Sequence, residues 1–439
     1  MRLLSASIPA PRINPNQEVN IETKYLRPKK AALLAERYRM YASPPEACIT
    51  EVAGGCIIPA YTDSHGDAIA GVIDRAGRFV SGSFMVDYPA EVEARASDMT
   101  WEADGGETVV YLGMFNPHWG HFITDCLASF WFLGEIEADR YLFSFYEGQT
   151  PEIHPNIRQA LTLLGVWERV EIVNAPRRYS RVYVPTIGMV PRGHALDRCA
   201  SVYRSIISRA LGSYSQPAEP HDKILLSRSK FPKARLNDLG ISDVEQLFVD
   251  NGYYPVYPER MTLVDLIGTL ATAKEVVTSS GTPAHNMLFA PEGTHTIVIE
   301  KHPCINNYQQ GIDRLKQLNV TYIDAAYAVW PIDPGLGPFI MAYTPELQQF
   351  AVDRGLTFPD KTYHPSKTLR RFFSLYYRHY KRKWIMPEWL EPEIHLFNEA
   401  YQASLPLFGP WLDGTRPLFL TDLLHPRTLA KHLLPHPKK

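Results

Sequence analysis

Several things are missing from this 439-residue chain, and each absence removes a class of protein. No apolar run approaches the roughly 20 residues that a membrane-spanning helix needs. The opening MRLLSASIPAPRINPNQE holds too short an apolar stretch for a secretory leader, which points to a cytoplasmic location. Cysteines are five, Cys48, Cys56, Cys126, Cys199 and Cys304, odd in number and scattered, so neither a disulfide framework nor a zinc site follows from them. A formal net charge of −2 lacks the broad basic excess of a nucleic-acid binder. No Gly-x-Gly-x-x-Gly follows an apolar strand, which argues against a dinucleotide-dependent oxidoreductase. No Asp-x-Asp occurs, so the usual carboxylate clamp for a divalent ion has no candidate. Internal repeats and low-complexity tracts are also absent.

What is present is concentrated between residues 223 and 300. Short apolar runs at Ile224–Leu226, Tyr254–Tyr257, Glu275–Thr278 and Thr296–Ile299 alternate with longer segments of helical period, the pattern of a βαβ sheet with parallel strands. Ligands of such sheets bind at the carboxyl ends of the strands. Ser227-Arg228 follows the first of these runs, and Ser279-Ser280-Gly281-Thr282-Pro283 follows the third, with Pro283 suited to the first turn of a helix. Such a helix start offers unpaired N–H groups and a partial positive charge, and so can dock a diphosphate. The same residues also suit an ordinary capped loop. Arg228, Lys230, Lys233 and Arg235 fall close together after the first strand, where a guanidinium can chelate phosphate oxygens or simply remain solvated.

A second constellation lies upstream. His121 and Asp125 stand four residues apart, hence on one face if the stretch is helical. That pair either performs acid-base work or forms a hydrogen bond that fixes the helix.

The order of features resembles glycosyltransferase family 61, the group with bacterial capsular polysaccharide biosynthesis proteins and the eukaryotic O-GlcNAc and plant xylan transferases. The resemblance runs through Trp119-Gly120-His121-Phe122-Ile123-Thr124-Asp125, Ser227-Arg228, Arg235 with Asn237-Asp238, Pro258-Glu259, Val276-Val277, Gly281, Asn286, Leu288-Phe289, Pro291-Glu292-Gly293 and Glu300. It covers roughly residues 110 to 300. Many members carry a histidine in the turn where this chain has Ser280, and here a histidine stands instead at His285. A backbone cradle for phosphate survives that change, because it depends on N–H groups more than on side chains.

The resemblance implies an α/β, GT-B-like fold of two Rossmann-like domains with a C-terminal helical extension. Its parts would be an acceptor-side domain over 1–215, a nucleotide-sugar-binding domain over 220–330 and an extension over 331–439, with Ser213–Pro220 as the linker. The segment before residue 110 reads as strands and loops. The implied activity is inverting transfer of a hexosyl or pentosyl unit from a nucleotide-sugar, a UDP-sugar by resemblance alone, to a bacterial surface glycan such as capsular polysaccharide or a lipid-linked glycan. The alternative is a glycan-binding or assembly protein that keeps the fold without transfer. Arg228, Arg235, Ser280, Gly281, Thr282, His285 and Asn286 would hold the donor, Glu300 its ribose or merely a strand end, and His121 or Asp125 would be the base. With no Asp-x-Asp, the leaving group would be neutralised by Arg228, Arg235 and the helix start near Gly281, without a metal and with no cofactor beyond the donor itself.

After residue 330 the character changes. The stretch 367–384 contains seven Lys or Arg, no acid and interleaved aromatics. It suits either an anionic membrane surface, on the inner face of the cell membrane, or packing back on the N-terminal domain with its basic face wet.

Overall fold

The computed structural model describes residues 2–5, 19–41, 44–62, 68–97, 99, 106–214, 220–302, 304–327 and 337–358. The basic aromatic stretch 367–384 and most of the expected 213–220 linker lie outside the described residues. The architecture is mixed α/β, with two six-stranded sheets.

The first sheet is mixed, in the order Arg2–Ser5, Cys48–Ala53, Arg181–Pro185, Thr108–Met114, Arg140–Ser144, Val170–Val173. The last four strands run parallel, and Cys48–Ala53 joins them antiparallel. The second sheet is parallel throughout, in the order Tyr254–Val256, Lys223–Leu226, Glu275–Ser279, His295–Glu300, Asn319–Asp324, Ile21–Tyr25. Four of these strands match the apolar runs read from the sequence to within a residue. Their central members are buried on both faces, as expected for a parallel sheet covered by helices on each side.

Local chemistry sets the helix ends. Helix Leu263–Thr272 begins at Thr262, whose hydroxyl accepts from the Asp265 N–H. Helix Pro155–Leu164 has proline in its first turn and ends on Gly165 in the left-handed conformation, φ 81°.

One feature differs from expectation. The region before residue 110 is not only strands and loops, because it contains helices Pro28–Tyr41 and Pro89–Ser97. The first buries Lys30, Leu33, Leu34, Arg37 and Tyr41, a helical spacing whose apolar character is masked by two cations. Strand Ile21–Tyr25 also lies at the edge of the second sheet, so the first 41 residues contribute to both sheets. The largest apolar cluster runs continuously from Val110, Phe122 and Phe143 beside the first sheet to Leu226, Val276, Phe289 and Val298 of the second. Phe289 stacks on Trp119 and meets Tyr203 edge-on. No helix among the described residues is long and apolar enough to cross a membrane.

Packing is tight where the loop after strand Arg181–Pro185 meets Ala128 and Cys199. A Cβ on Gly188 would lie 2.3 Å from the Ala128 carbonyl oxygen and 2.8 Å from Cys199 Sγ. Gly188→Ala should therefore destabilise the protein by about 1–3 kcal/mol, seen as a lower urea midpoint at unchanged slope.

Candidate active site between the two sheets

Strand Glu275–Ser279 leads into Ser280 and Gly281. Gly281 holds φ 99° and ψ −152°, a backbone region open essentially to glycine alone. A Cβ there would meet nothing within 4 Å, so conformation demands the glycine and the space above the turn is open. A short helix, Thr282–His285, follows with Pro283 in its first turn.

Against this turn packs the start of a helical segment that is α-helical over Trp119–His121, π-helical over Phe122–Cys126 and tightens to a 3-10 helix over Leu127–Phe132. π-helical turns are uncommon and concentrate at functional sites. Gly120 allows the approach, since a Cβ on it would fall 2.5 Å from Thr282 Oγ1. Trp119 Nε1 donates to Asn286 Oδ1 at 2.8 Å, and the Asn286 amide donates to the Thr282 and Pro283 carbonyls. The oxygen of the Asn286 side chain thus joins the two segments, and its amide nitrogen holds its own turn.

The approach sets His121 and Asp125 beside the turn. His121 Nδ1 lies 3.1 Å from Asp125 Oδ2, and this hydrogen bond raises the imidazole above its ordinary range, against the opposing effect of partial burial. Burial, with the Asp125 carboxylate nearby, holds the Tyr308 hydroxyl well above the usual phenol range. The Tyr308 ring meets His121 edge-on at 5.8 Å and His285 at 5.6 Å. His285 is buried, its Nε2 lies 3.2 Å from Asn306 Oδ1, and burial lowers it to about 4, leaving a neutral imidazole near neutral pH.

On the other side of the turn the strand ends carry a charged cluster. The Lys301 N–H donates to the Ser280 hydroxyl at 3.4 Å. Lys301 Nζ lies 3.2 Å from both oxygens of buried Asp238, and burial lowers the amine to about 8 although Asp238 draws it up. Arg228 Nε lies 3.3 Å from Asp238, and the Arg228 side chain remains a quarter exposed, so its guanidinium keeps access to solvent. Ser227 is buried and donates to Glu245, which burial pushes up to about 7. Arg235 lies on helix Pro232–Asn237, just before Asp238.

Glu300 is fully buried, not an exposed strand end. Lys30 Nζ, from the N-terminal helix, lies 3.6 Å from it and 3.3 Å from Asp324. Burial pushes Glu300 up to about 7 despite Lys30. Burial also pushes Asp324 upward, but Lys30 and Arg27 outweigh it, and Asp324 stays below its ordinary range.

The structure therefore brings His121, Asp125, Thr282, His285 and Asn286 into one contact network and links Ser280 to Glu300 and Arg228 through the strand ends. Sequence reasoning missed Lys30, Arg27, Asp324, Lys301, Asn306 and Tyr308. Asp324 had the same signal as Glu300, an acid closing a strand. Lys30 and Arg27 become visible only once Ile21–Tyr25 pairs with Asn319–Asp324.

A parallel sheet whose strand ends carry hydroxyls and cations, with the His121–Asp125 pair beside its glycine turn, is the geometry to set beside known families. Residues 119–297 match the family model described as Glycosyltransferase 61. The match spans the His121–Asp125 pair and the Ser280–Asn286 turn alike, and it supports assigning the chain to glycosyltransferase family 61. No curated protein matches the chain.

The buried carboxylate gives a pH signature. Folded Glu300 titrates at about 7 against 4.5 for an ordinary glutamate, so between those values the folded state holds the extra proton. Through this group, stability falls as pH rises across that window. The stability of Glu300→Gln relative to the natural chain should rise with pH over the same range in urea melts, and parallel curves would refute the assignment.

Proposed function

We propose that the protein is an inverting glycosyltransferase of GT-B-like arrangement that moves a sugar from a nucleotide diphosphate donor, most simply a UDP-sugar, to a bacterial surface glycan such as capsular polysaccharide, without a divalent ion. The observation that supports this reading is the contact of Gly120 with Thr282 and of Trp119 with Asn286, which sets His121 and Asp125 beside an open glycine turn at the end of a parallel sheet.

In the transfer step the acceptor hydroxyl gives its proton to the His121–Asp125 pair, and the oxygen lone pair forms the new bond to the anomeric carbon. The bond from that carbon to the diphosphate oxygen breaks on the opposite face, and its electron pair leaves with the nucleoside diphosphate. As the anomeric carbon gains oxocarbenium character, the base makes the hydroxyl oxygen a better nucleophile. Negative charge growing on the leaving diphosphate is met by Arg228 and by the N–H groups after Gly281, with Arg235 as a further cation. Glu300, beneath Ser280, either reaches the ribose hydroxyls once the donor binds or fixes the strand end through Lys30. Cytoplasmic residence, with the acceptor glycan on a lipid carrier at the membrane's inner face, fits a donor made in the cytoplasm.

A thermal-shift panel of UDP, GDP, CMP, TDP and NAD in EDTA tests the donor class, because a ligand that binds only the folded state raises the midpoint. The expected result is a shift with one nucleoside diphosphate and none with NAD, lost in Arg228→Ala. No shift with any nucleotide would overturn the donor assignment and favour a glycan-binding protein that keeps the fold.

A further inference from the structure

We propose that Asp238 is a positioning residue of the donor site: by pairing with both Arg228 and Lys301 it gathers a cation from each side of the glycine turn into one cluster that takes the donor's diphosphate. This rests on the reading above that a nucleoside diphosphate docks at the turn, and it adds Asp238 and Lys301, which that reading does not use.

Three neighbouring strands of the parallel sheet end side by side, Lys223–Leu226, Glu275–Ser279 and His295–Glu300. The middle one leads into Ser280 and Gly281, and the outer two lead into Ser227-Arg228 and Lys301. Adjacent strands lie about 4.8 Å apart, so the outer pair are separated by roughly 10 Å. Arg228 and Lys301 nevertheless meet at one carboxylate. Arg228 Nε lies 3.3 Å from Asp238 Oδ2, and Lys301 Nζ lies 3.2 Å from both Asp238 oxygens. The Lys301 N–H donates to Ser280 Oγ at 3.4 Å, which ties the cluster to the turn itself. Asp238 is placed by strand Asp238–Leu239, which pairs in parallel with Phe339–Ile340. The same pairing supplies the Phe339 ring, whose centroid lies 4.5 Å from Lys301 Nζ. The ammonium is thus held by a carboxylate and by a ring face.

Charge argues for a ligand rather than a closed structural pair. One cation suffices to compensate one buried carboxylate. Here two cations share Asp238, and the cluster keeps an excess positive charge. The acids around it do little to cancel that excess, because burial pushes Glu300, Glu245 and Glu259 upward, the first two to about 7. Access is divided between the cations. The Lys301 side chain is 7% exposed, so its charge acts with little screening from water. That of Arg228 is 25% exposed, and Asp238 is its one ion-pair partner among the described residues. A guanidinium carries several N–H donors, so with Nε turned to Asp238 the others are left for phosphate oxygens. Arg228 is therefore the group that touches the diphosphate, and Lys301 is the fixed charge behind it.

The test is binding of UDP and of inorganic pyrophosphate to the full-length protein in EDTA, measured by calorimetry at neutral pH. Asp238→Asn makes the chain more positive, so a simple charge count expects both anions to bind more tightly. The positioning role expects the reverse. Burial already lowers Lys301 to about 8 against the pull of Asp238, with Arg228 and Glu300 as the other charges facing it, so without that carboxylate it sheds its proton near neutrality and Arg228 is no longer aimed. The expected loss is roughly ten- to a hundredfold in affinity for both anions. Lys301→Met and Arg228→Lys, the second keeping the charge without the fork, should weaken both in the same direction, with donor KM raised and acceptor KM unchanged. Asp222→Asn removes an exposed acid from the opposite end of strand Lys223–Leu226 and should leave binding as it is. A folded Asp238→Asn protein that binds UDP as well as the natural chain, or better, would overturn the proposal and leave the donor reading standing. Should that variant not fold, natural affinity in Arg228→Lys or Lys301→Met would do the same. Pyrophosphate binding that is weakened in all three variants, with no nucleoside diphosphate bound more tightly than pyrophosphate, would support the cluster and overturn the donor reading, and no binding of either anion would overturn both.

Discussion

The site exists because two chain segments, about 160 positions apart, touch through a glycine. Gly120 has no Cβ, so the first turn of the helix carrying His121 can rest on Thr282 of the glycine turn, and the Trp119–Asn286 hydrogen bond closes the contact. Everything chemical follows from that approach. It brings His121 and Asp125 to the strand ends, it places Phe289 against Trp119 in the shared core, and it leaves the turn itself open above Gly281. The indole is the anchor, contributing apolar area and one directed donor in the same side chain.

Electrostatics divides the site into two halves of different character. Around His121 the groups are aromatic and hydroxylic, and the charges are few. At the strand ends, buried ions alternate in sign from Arg228 through Asp238 to Lys301, and from Glu300 through Lys30 to Asp324 and Arg27. Buried ions are retained when each has a partner, and the alternation supplies one for every member. Glu300 is the strained element of the series, with no geometric hydrogen bond to its oxygens and only a cation 3.6 Å away.

The sequence was legible where one physical period dominated. Strands such as Glu275–Ser279 and His295–Glu300 are short apolar runs closed by glycine or charge, and parallel pairing buries them on both faces, so their signal is strong. The turn at Gly281 was legible because only glycine serves that backbone. Helix Pro28–Tyr41 was not, because Lys30 and Arg37 occupy the buried face where a periodicity argument looks for apolar residues. Tyr308 was invisible for a different reason. Its ring reaches His121 from a loop, and no spacing along the chain encodes which side chain a loop delivers to a partner far away in sequence.

The N-terminal segment that crosses to the second sheet changes what counts as a module here. Residues 220–330 look like a donor-binding unit by sequence, yet they end their central strands in Glu300 and Asp324, whose cations Lys30 and Arg27 arrive on the first 41 residues. Cut out at its apparent borders, that unit would expose an unpaired strand edge and keep two carboxylates with their counterions left behind. Recombination at residue 215 would therefore exchange half of an electrostatic circuit, and a piece that keeps its charges paired must carry its N-terminal strap with it.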